Sequence, residues 1–224
     1  MIYFNKQEAL RYLGAAPGDK EAGVAVDLAF LKLRNELQPR YTAACFPCRV
    51  ETGLIEVDTG AGAAATVKFL SRNLARHLQG CRELFIFGAT LGIKVDIALR
   101  GLLLNSTLAG AAAQAAAAAL IETYCDDCCA QLEAQLPGGQ ILVSRFSPGY
   151  GDWPLTEQKK LFPLLAGAGK IGLTLTDGCM MAPVKSVTAI IGIRTGKEPT
   201  YINMPALTKN KCASCENLTC AFRR

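Results

Sequence analysis

The sequence holds one histidine and one tryptophan, and it contains no basic tract. Each scarcity removes a class of function. With His77 as the only histidine, a Ser-His-Asp triad or a histidine-rich metal site is nearly excluded. The 24 Lys and Arg residues exceed the 19 Asp and Glu by a net charge of +5. They are scattered rather than interleaved with aromatics, so nothing resembles a groove that tracks phosphates, and nucleic acid is disfavoured as a partner. The start, Met1-Ile2-Tyr3-Phe4-Asn5-Lys6, has no basic segment leading into an apolar one, so no secretory signal is visible and a cytoplasmic location is expected. Charge is also missing from 101 to 121. There Asn105, Ser106, Thr107 and Gln114 interrupt a run that is mostly alanine, which reads as a buried helix and not as a membrane span.

What remains is a chain of 224 residues, half of them hydrophobic, long enough to bury a full core in one domain. We expect that domain over residues 1–210 and a cysteine-bearing tail over 211–224. Asn5 is a good cap for a first helix ending at Gly14, and a second helix is expected over Glu21 to Leu37, before Pro39. Residues 41 to 57 read as strand. Asp58 or Thr59 can cap a helix over Ala63 to Leu78. Leu84-Phe85-Ile86-Phe87 reads as a buried strand feeding Gly88. Val95, Ala98, Leu99, Leu102 and Leu103 recur at helical spacing. After Ser106 as a cap, an alanine-rich helix runs toward Leu136 and stops at Pro137-Gly138-Gly139. Strands follow at Gln140 to Arg145, Ile171 to Thr176 and Ser186 to Arg194, with a short helix near Thr156. Early helices and late strands without regular alternation predict an α+β fold with helices packed on a largely antiparallel sheet.

The most informative string is Arg145-Phe146-Ser147-Pro148-Gly149-Tyr150-Gly151-Asp152-Trp153-Pro154. Pro148-Gly149 suits the centre of a type II turn, which would let a flat ligand approach with no Cβ in the way. Arg145 could hold a carboxylate and Tyr150 could offer its ring to a cation. An ordinary turn with a surface arginine is the other reading. Three further strings accompany this one: Leu10-Arg11-Tyr12-Leu13-Gly14, Phe87-Gly88-Ala89-Thr90-Leu91-Gly92, and Met180-Met181-Ala182-Pro183-Val184-Lys185-Ser186-Val187. In this order, with the loop, they resemble the activation domain of cobalamin-dependent methionine synthase, in its free-standing form.

That resemblance implies a component of a methionine synthase system: a module that binds S-adenosylmethionine and supports reductive methylation of cob(II)alamin. The cobalamin would be carried by a separate methionine synthase or other corrinoid protein, with a flavodoxin- or ferredoxin-type electron donor. Arg145 would take the methionine carboxylate, Ser147, Pro148 and Gly149 would make close contacts, Tyr150 would pack on the ligand, and Tyr201 would lie near it. The family's helix carboxylate is missing from the alanine-rich segment; Gln114 or Glu122 would have to replace it.

Ten cysteines form a second signal. Cys212-x2-Cys215-x4-Cys220 places three thiols close enough to share zinc or an iron–sulfur cluster, with a fourth ligand from elsewhere. Free thiols in a reducing compartment are the alternative, and a metal-binding or electron-transfer accessory protein is the corresponding alternative function. Cys45 and Cys48 form another close set. Cys125, Cys128 and Cys129 fall on the predicted long helix beside Asp126 and Asp127, which would raise their pKa values. Gly167 to Gly172 matches GxGxxG, but it follows a helix and precedes a strand, the reverse of a dinucleotide site, and is read as a loop. His77 is expected near a helix end, where a cation or a hydrogen bond to the helix's last carbonyls is favoured, and Trp153 as an anchor of the loop or a contact for a corrin ring.

Overall fold

The computed structural model describes residues 2–60 and 66–196. The chain forms two compact units. One comprises the chain through Thr42, Gly88–Cys128 and Ala166–Val187; the other comprises Ala43–Phe87, Cys129–Leu165 and the chain from Thr188.

The first unit is mainly helical. Asn5 accepts the Glu8 N–H and opens α1 (Lys6–Leu13), which Gly14 closes in the left-handed conformation, φ 73°. Asp19 caps α2 (Lys20–Leu33) through the Ala22 N–H. This helix stops short of the expected Leu37. Gln38 precedes a proline and must be extended, and its N–H is engaged with the Leu91 carbonyl at 2.9 Å, so the helix unwinds one turn earlier. Next come α4 (Ile93–Asn105) and α5 (Thr107–Ala134), joined at Ser106, whose Oγ accepts the Ala109 N–H as expected of a cap. Ala112, Ala113, Ala115 and Ala116 are all buried, which confirms the alanine-rich spine. The helices meet at Gly110, where a Cβ would stand 2.6 Å from Leu103 Cδ1 and 2.8 Å from its Cα. A two-stranded hairpin, β6 (Thr174–Leu175) with β7 (Met181–Ala182), completes this unit. The strand expected from Ile171 is shorter because Ala168–Ile171 is a 3₁₀ turn. Gly167 (φ 82°) and Gly172 (φ 73°) flank that turn, so the glycines of the GxGxxG string serve the backbone.

Most of a six-stranded sheet lies in the second unit, in the order β3-β2-β1-β4-β8-β5. Its strands are β1 (Arg40–Glu51), β2 (Leu54–Asp58), β3 (Thr66–Leu70), β4 (Glu83–Thr90), β5 (Gln140–Leu142) and β8 (Ser186–Thr195). β1–β2, β2–β3 and β5–β8 pair antiparallel, and the expected α+β class with an antiparallel sheet is what the chain adopts.

One expected helix is wrong. Of the residues expected to form it, 66–70 form β3, paired with β2 from Leu54↔Leu70 to Asp58↔Thr66; 61–65 lie outside the described residues. Phe69 is buried while Thr66, Lys68 and Leu70 face solvent, a period of two that belongs to a half-covered strand. The helix proper is α3 (Arg72–His77), capped by Ser71 through the Leu74 N–H and not by Asp58 or Thr59. The strand expected over 140–145 is also cut to three residues; beyond it the Val143 N–H still donates to the Gly192 carbonyl at 2.9 Å, and Phe146 makes an isolated bridge to Ile190 of β8.

Candidate functional site

The segment Arg145–Pro154 is built from its two ends inward. At its start, Phe146 exchanges two backbone hydrogen bonds with Ile190 of β8, at 2.9 and 2.8 Å. Near its end, Trp153 is 1% exposed and packs edge-on to Phe69, with ring centroids 5.5 Å apart. Its indole Nε1 has no hydrogen-bond partner among the described residues. Trp153 is thus the loop's anchor, and its burial removes it as a contact for a large planar ligand.

Between these anchors the chain makes the expected turn. The Tyr150 N–H donates to the Ser147 carbonyl at 3.1 Å, and Gly149 has φ 97°, the value type II turns demand at their third residue. A second turn follows at once: Trp153 N–H donates to Tyr150 O at 3.0 Å, and Gly149 N–H to Trp153 O at 2.7 Å. The Gly149 and Tyr150 N–H groups are therefore spent within the loop. Gly149 itself is exposed, and a Cβ there would meet Leu155 Cδ1 at 3.7 Å, an ordinary contact distance. Pro148 is buried and Ser147 half-buried, while Tyr150 is 55% exposed with its ring edge-on to Phe146 at 6.1 Å.

Asp152 fastens the loop to α3. It accepts from the Ser71 hydroxyl, from Arg72 N–H at 2.8 Å and from Asn73 N–H at 3.2 Å. These are N-terminal amides that a helix cannot satisfy internally. Burial pushes the Asp152 carboxyl up, but these three donors and its own backbone N–H outweigh that and hold the group below its ordinary range. Gly151 makes room for this approach: a Cβ there would meet Asn73 Nδ2 at 2.4 Å. Nothing in the residue pattern assigns a role to Asp152. Asp is a common capping residue, but its partners lie about 80 positions away, where local pattern cannot reach.

Arg145 lies at the base of the turn and is only 7% exposed. Its Nη1 stands 3.7 Å from the Sγ of Cys129, on the part of α5 that belongs to the same unit. One turn on, the buried Glu133 accepts the Leu142 N–H at 2.9 Å and ties that helix to β5. Arg145, Ser147, Pro148, Gly149 and Tyr150 thus share one short segment, with the Arg145 guanidinium beside Cys129. His77, the last residue of α3, meets the Ser144 carbonyl through Nε2 at 2.6 Å; that carbonyl belongs to the segment after β5 and not to the helix end the sequence pointed to.

Gln114 and Glu122 are on α5 in the first unit, about two turns apart. Gln114 is exposed, and its backbone carbonyl accepts from Lys185 Nζ at 3.3 Å. Burial pushes the Lys185 ammonium down and Asp96 partly restores it. Asp96 accepts the Val184 N–H at 2.8 Å, so the 180–187 string is held against α4 and α5. Glu122 is half-buried. Tyr201, Cys212, Cys215 and Cys220 lie outside the described residues. Among the described residues no group of three or more His, Cys, Asp or Glu side chains could hold a metal, and no helix is long and apolar enough to cross a membrane. Cys125, Cys128 and Cys129 are all buried in α5. Burial, with Cys81 and Cys45 nearby, pushes the Cys48 thiol up to about 12, and burial pushes Cys81 to about 11.

Known proteins share these features unevenly. No curated protein matches the chain. A solved structure described as the crystal structure of the MetH reactivation domain bound to AdoHcy matches with a TM-score of 0.58 at 17% identity, covering 84% of this chain and 70% of that one. That likeness establishes the fold. Residues 103–217, just over half of the chain and including the whole Arg145–Pro154 loop, match the family described as vitamin B12 dependent methionine synthase, activation domain, and the chain belongs to that family.

Proposed function

We propose that the chain binds S-adenosylmethionine at the Arg145–Tyr150 group and presents its methyl to a cob(II)alamin carried by a separate methionine synthase or other corrinoid methyltransferase, undergoing one-electron reduction by a flavodoxin- or ferredoxin-type donor. Residues 1–210 act as the activation module and 211–224 as its cysteine-bearing tail. The observation that carries the reading is a permanent cation, withdrawn from solvent, at the base of an exposed glycine turn.

The residues fit the ligand. A guanidinium shielded from water holds a carboxylate with little screening, and its planar fork favours two parallel bonds. The exposed face of Tyr150 suits a sulfonium or ammonium cation. With the Gly149 N–H already used inside the loop, the Gly149 carbonyl is the group left to accept from a ligand N–H or hydroxyl, and the absent Cβ permits the approach. The ligand supplies a methyl on positively charged sulfur; the protein supplies position, which is where most of the rate advantage of such a transfer arises. The solved neighbour's bound AdoHcy is the demethylated counterpart of the proposed ligand. The tail thiols Cys212, Cys215 and Cys220 remain the proposed seat of any zinc or iron–sulfur cluster.

The test is calorimetric titration of the anaerobically purified protein with S-adenosylmethionine, beside Arg145→Lys and Arg145→Ala. Saturable binding, weakened about tenfold or more by Arg145→Lys because Lys lacks the fork, is expected. Equal binding by wild type and both folded variants would overturn the assignment.

A further inference from the structure

The first unit carries a second surface that the ligand site does not explain. On α2, Val24, Leu28 and Leu31 recur at helical spacing and are about half exposed, while the opposite face buries Ala22, Val26, Ala29 and Leu33. On α4, Ile93, Ile97 and Leu104 do the same, with Leu104 88% exposed, while Val95, Leu99 and Leu102 are buried. The two helices pack on each other. Leu108, at the start of α5, closes a groove of 430 Å³ with Val24, Ala25 and Leu28, edged by Lys20 and Glu21.

A helix apolar on both faces is ordinarily covered on both. Single exposed leucines are unremarkable, but a contiguous set is not. Val24, Leu28 and Leu108 line one groove, and with Leu31, Ile93, Ile97 and Leu104 they expose a summed area of roughly 700 Å², against the ~800 Å² per partner of a standard stable interface.

The composition selects the occupant. Surfaces that meet partners transiently are about as polar as the rest of a protein, whereas permanent homodimer faces are more apolar. The alternating four- and three-residue spacing on α2 is that of helices packing side by side. A two-fold contact must be self-complementary. An aliphatic stripe edged by one lysine and one glutamate satisfies this, because Lys20 of one copy can face Glu21 of the other.

We propose that the chain forms a two-fold homodimer through α2 and α4. The experiment is sedimentation equilibrium of the full chain up to about 100 µM, with Leu28→Glu and Leu104→Glu, both exposed positions at which a charge leaves the core intact. Wild type is expected at twice the 23.9 kDa chain mass, and each substitution is expected to weaken association about 100-fold with unchanged circular dichroism. Wild type at the single-chain mass overturns the proposal whatever the variants do. So does a dimer that neither substitution weakens. A monomer that loses binding to a corrinoid protein on Leu28→Glu assigns the face to that partner and equally overturns it.

Discussion

Two glycines show how differently the ligand loop and the α4–α5 corner are held. At Gly151 the backbone has φ 55°, and the atom a Cβ would strike belongs to the side-chain amide of Asn73. At Gly110 the backbone is ordinary helix, but the obstacles include the Cα of Leu103, which has no rotamer by which to retreat. The loop is set by hydrogen bonds among groups that could be traded; the corner is set by fit, and nothing there can be traded. Loss of a polar group in the loop should therefore move its geometry more than the protein's stability, and added volume at the corner should do the reverse.

Trp153 is the hardest challenge to this division, because it makes the loop depend on packing too. Trp153→Ala should cost about 3–5 kcal/mol by denaturant melting and abolish ligand binding; a loss under ~1 kcal/mol would show that hydrogen bonds alone hold the loop. Gly110→Ala should destabilise by about 1–3 kcal/mol yet leave ligand affinity in the folded fraction unchanged, and an affinity change would erase the distinction between the regions.

Asp152→Ala sharpens the comparison from the other side, with a cost of about 0.5–2 kcal/mol, the usual worth of a helix cap, and a larger proportional loss of affinity. Its pH dependence has a definite sign. The folded carboxyl titrates below the ordinary aspartate value, so its contribution is complete above that value and disappears as pH falls through the lower, folded one. Acid unfolding of wild type should thus be steeper than that of Asp152→Ala in this window. Because Asp152 is exposed, the difference should be small. The least effect is chemical: Cys48 and Cys81, pushed to about 12 and about 11, should resist iodoacetamide at pH 8 in the folded protein and react once it is unfolded in urea.

Local signals in the sequence were reliable where the structure is local. Asn5, Ser106, the Pro148-Gly149 turn and the alanine spine all act within a few residues of themselves, and all were legible. The failures are those in which a distant strand decides. Val67 and Phe69 suit a helix as well as a strand until β2 is alongside, and α2 ends where Leu91 claims Gln38. In the candidate site, the turn and Arg145 could be read from residue types. The burial of Arg145 beside Cys129 and the clamp from Asp152 to α3 could not, because both depend on contacts made long after the chain has passed.

The clamp has a practical corollary. The amides of Arg72 and Asn73 donate to Asp152, and that of Leu74 donates to the Ser71 hydroxyl, itself bonded to Asp152. Their exchange with deuterated solvent must await either fraying of α3 or release of the loop. If S-adenosylmethionine stills the loop, these three amides, none of which belongs to the proposed ligand-contact group, will slow together. They form a built-in clock for the order of a segment whose own turn amides lie too close to the ligand to report on it independently.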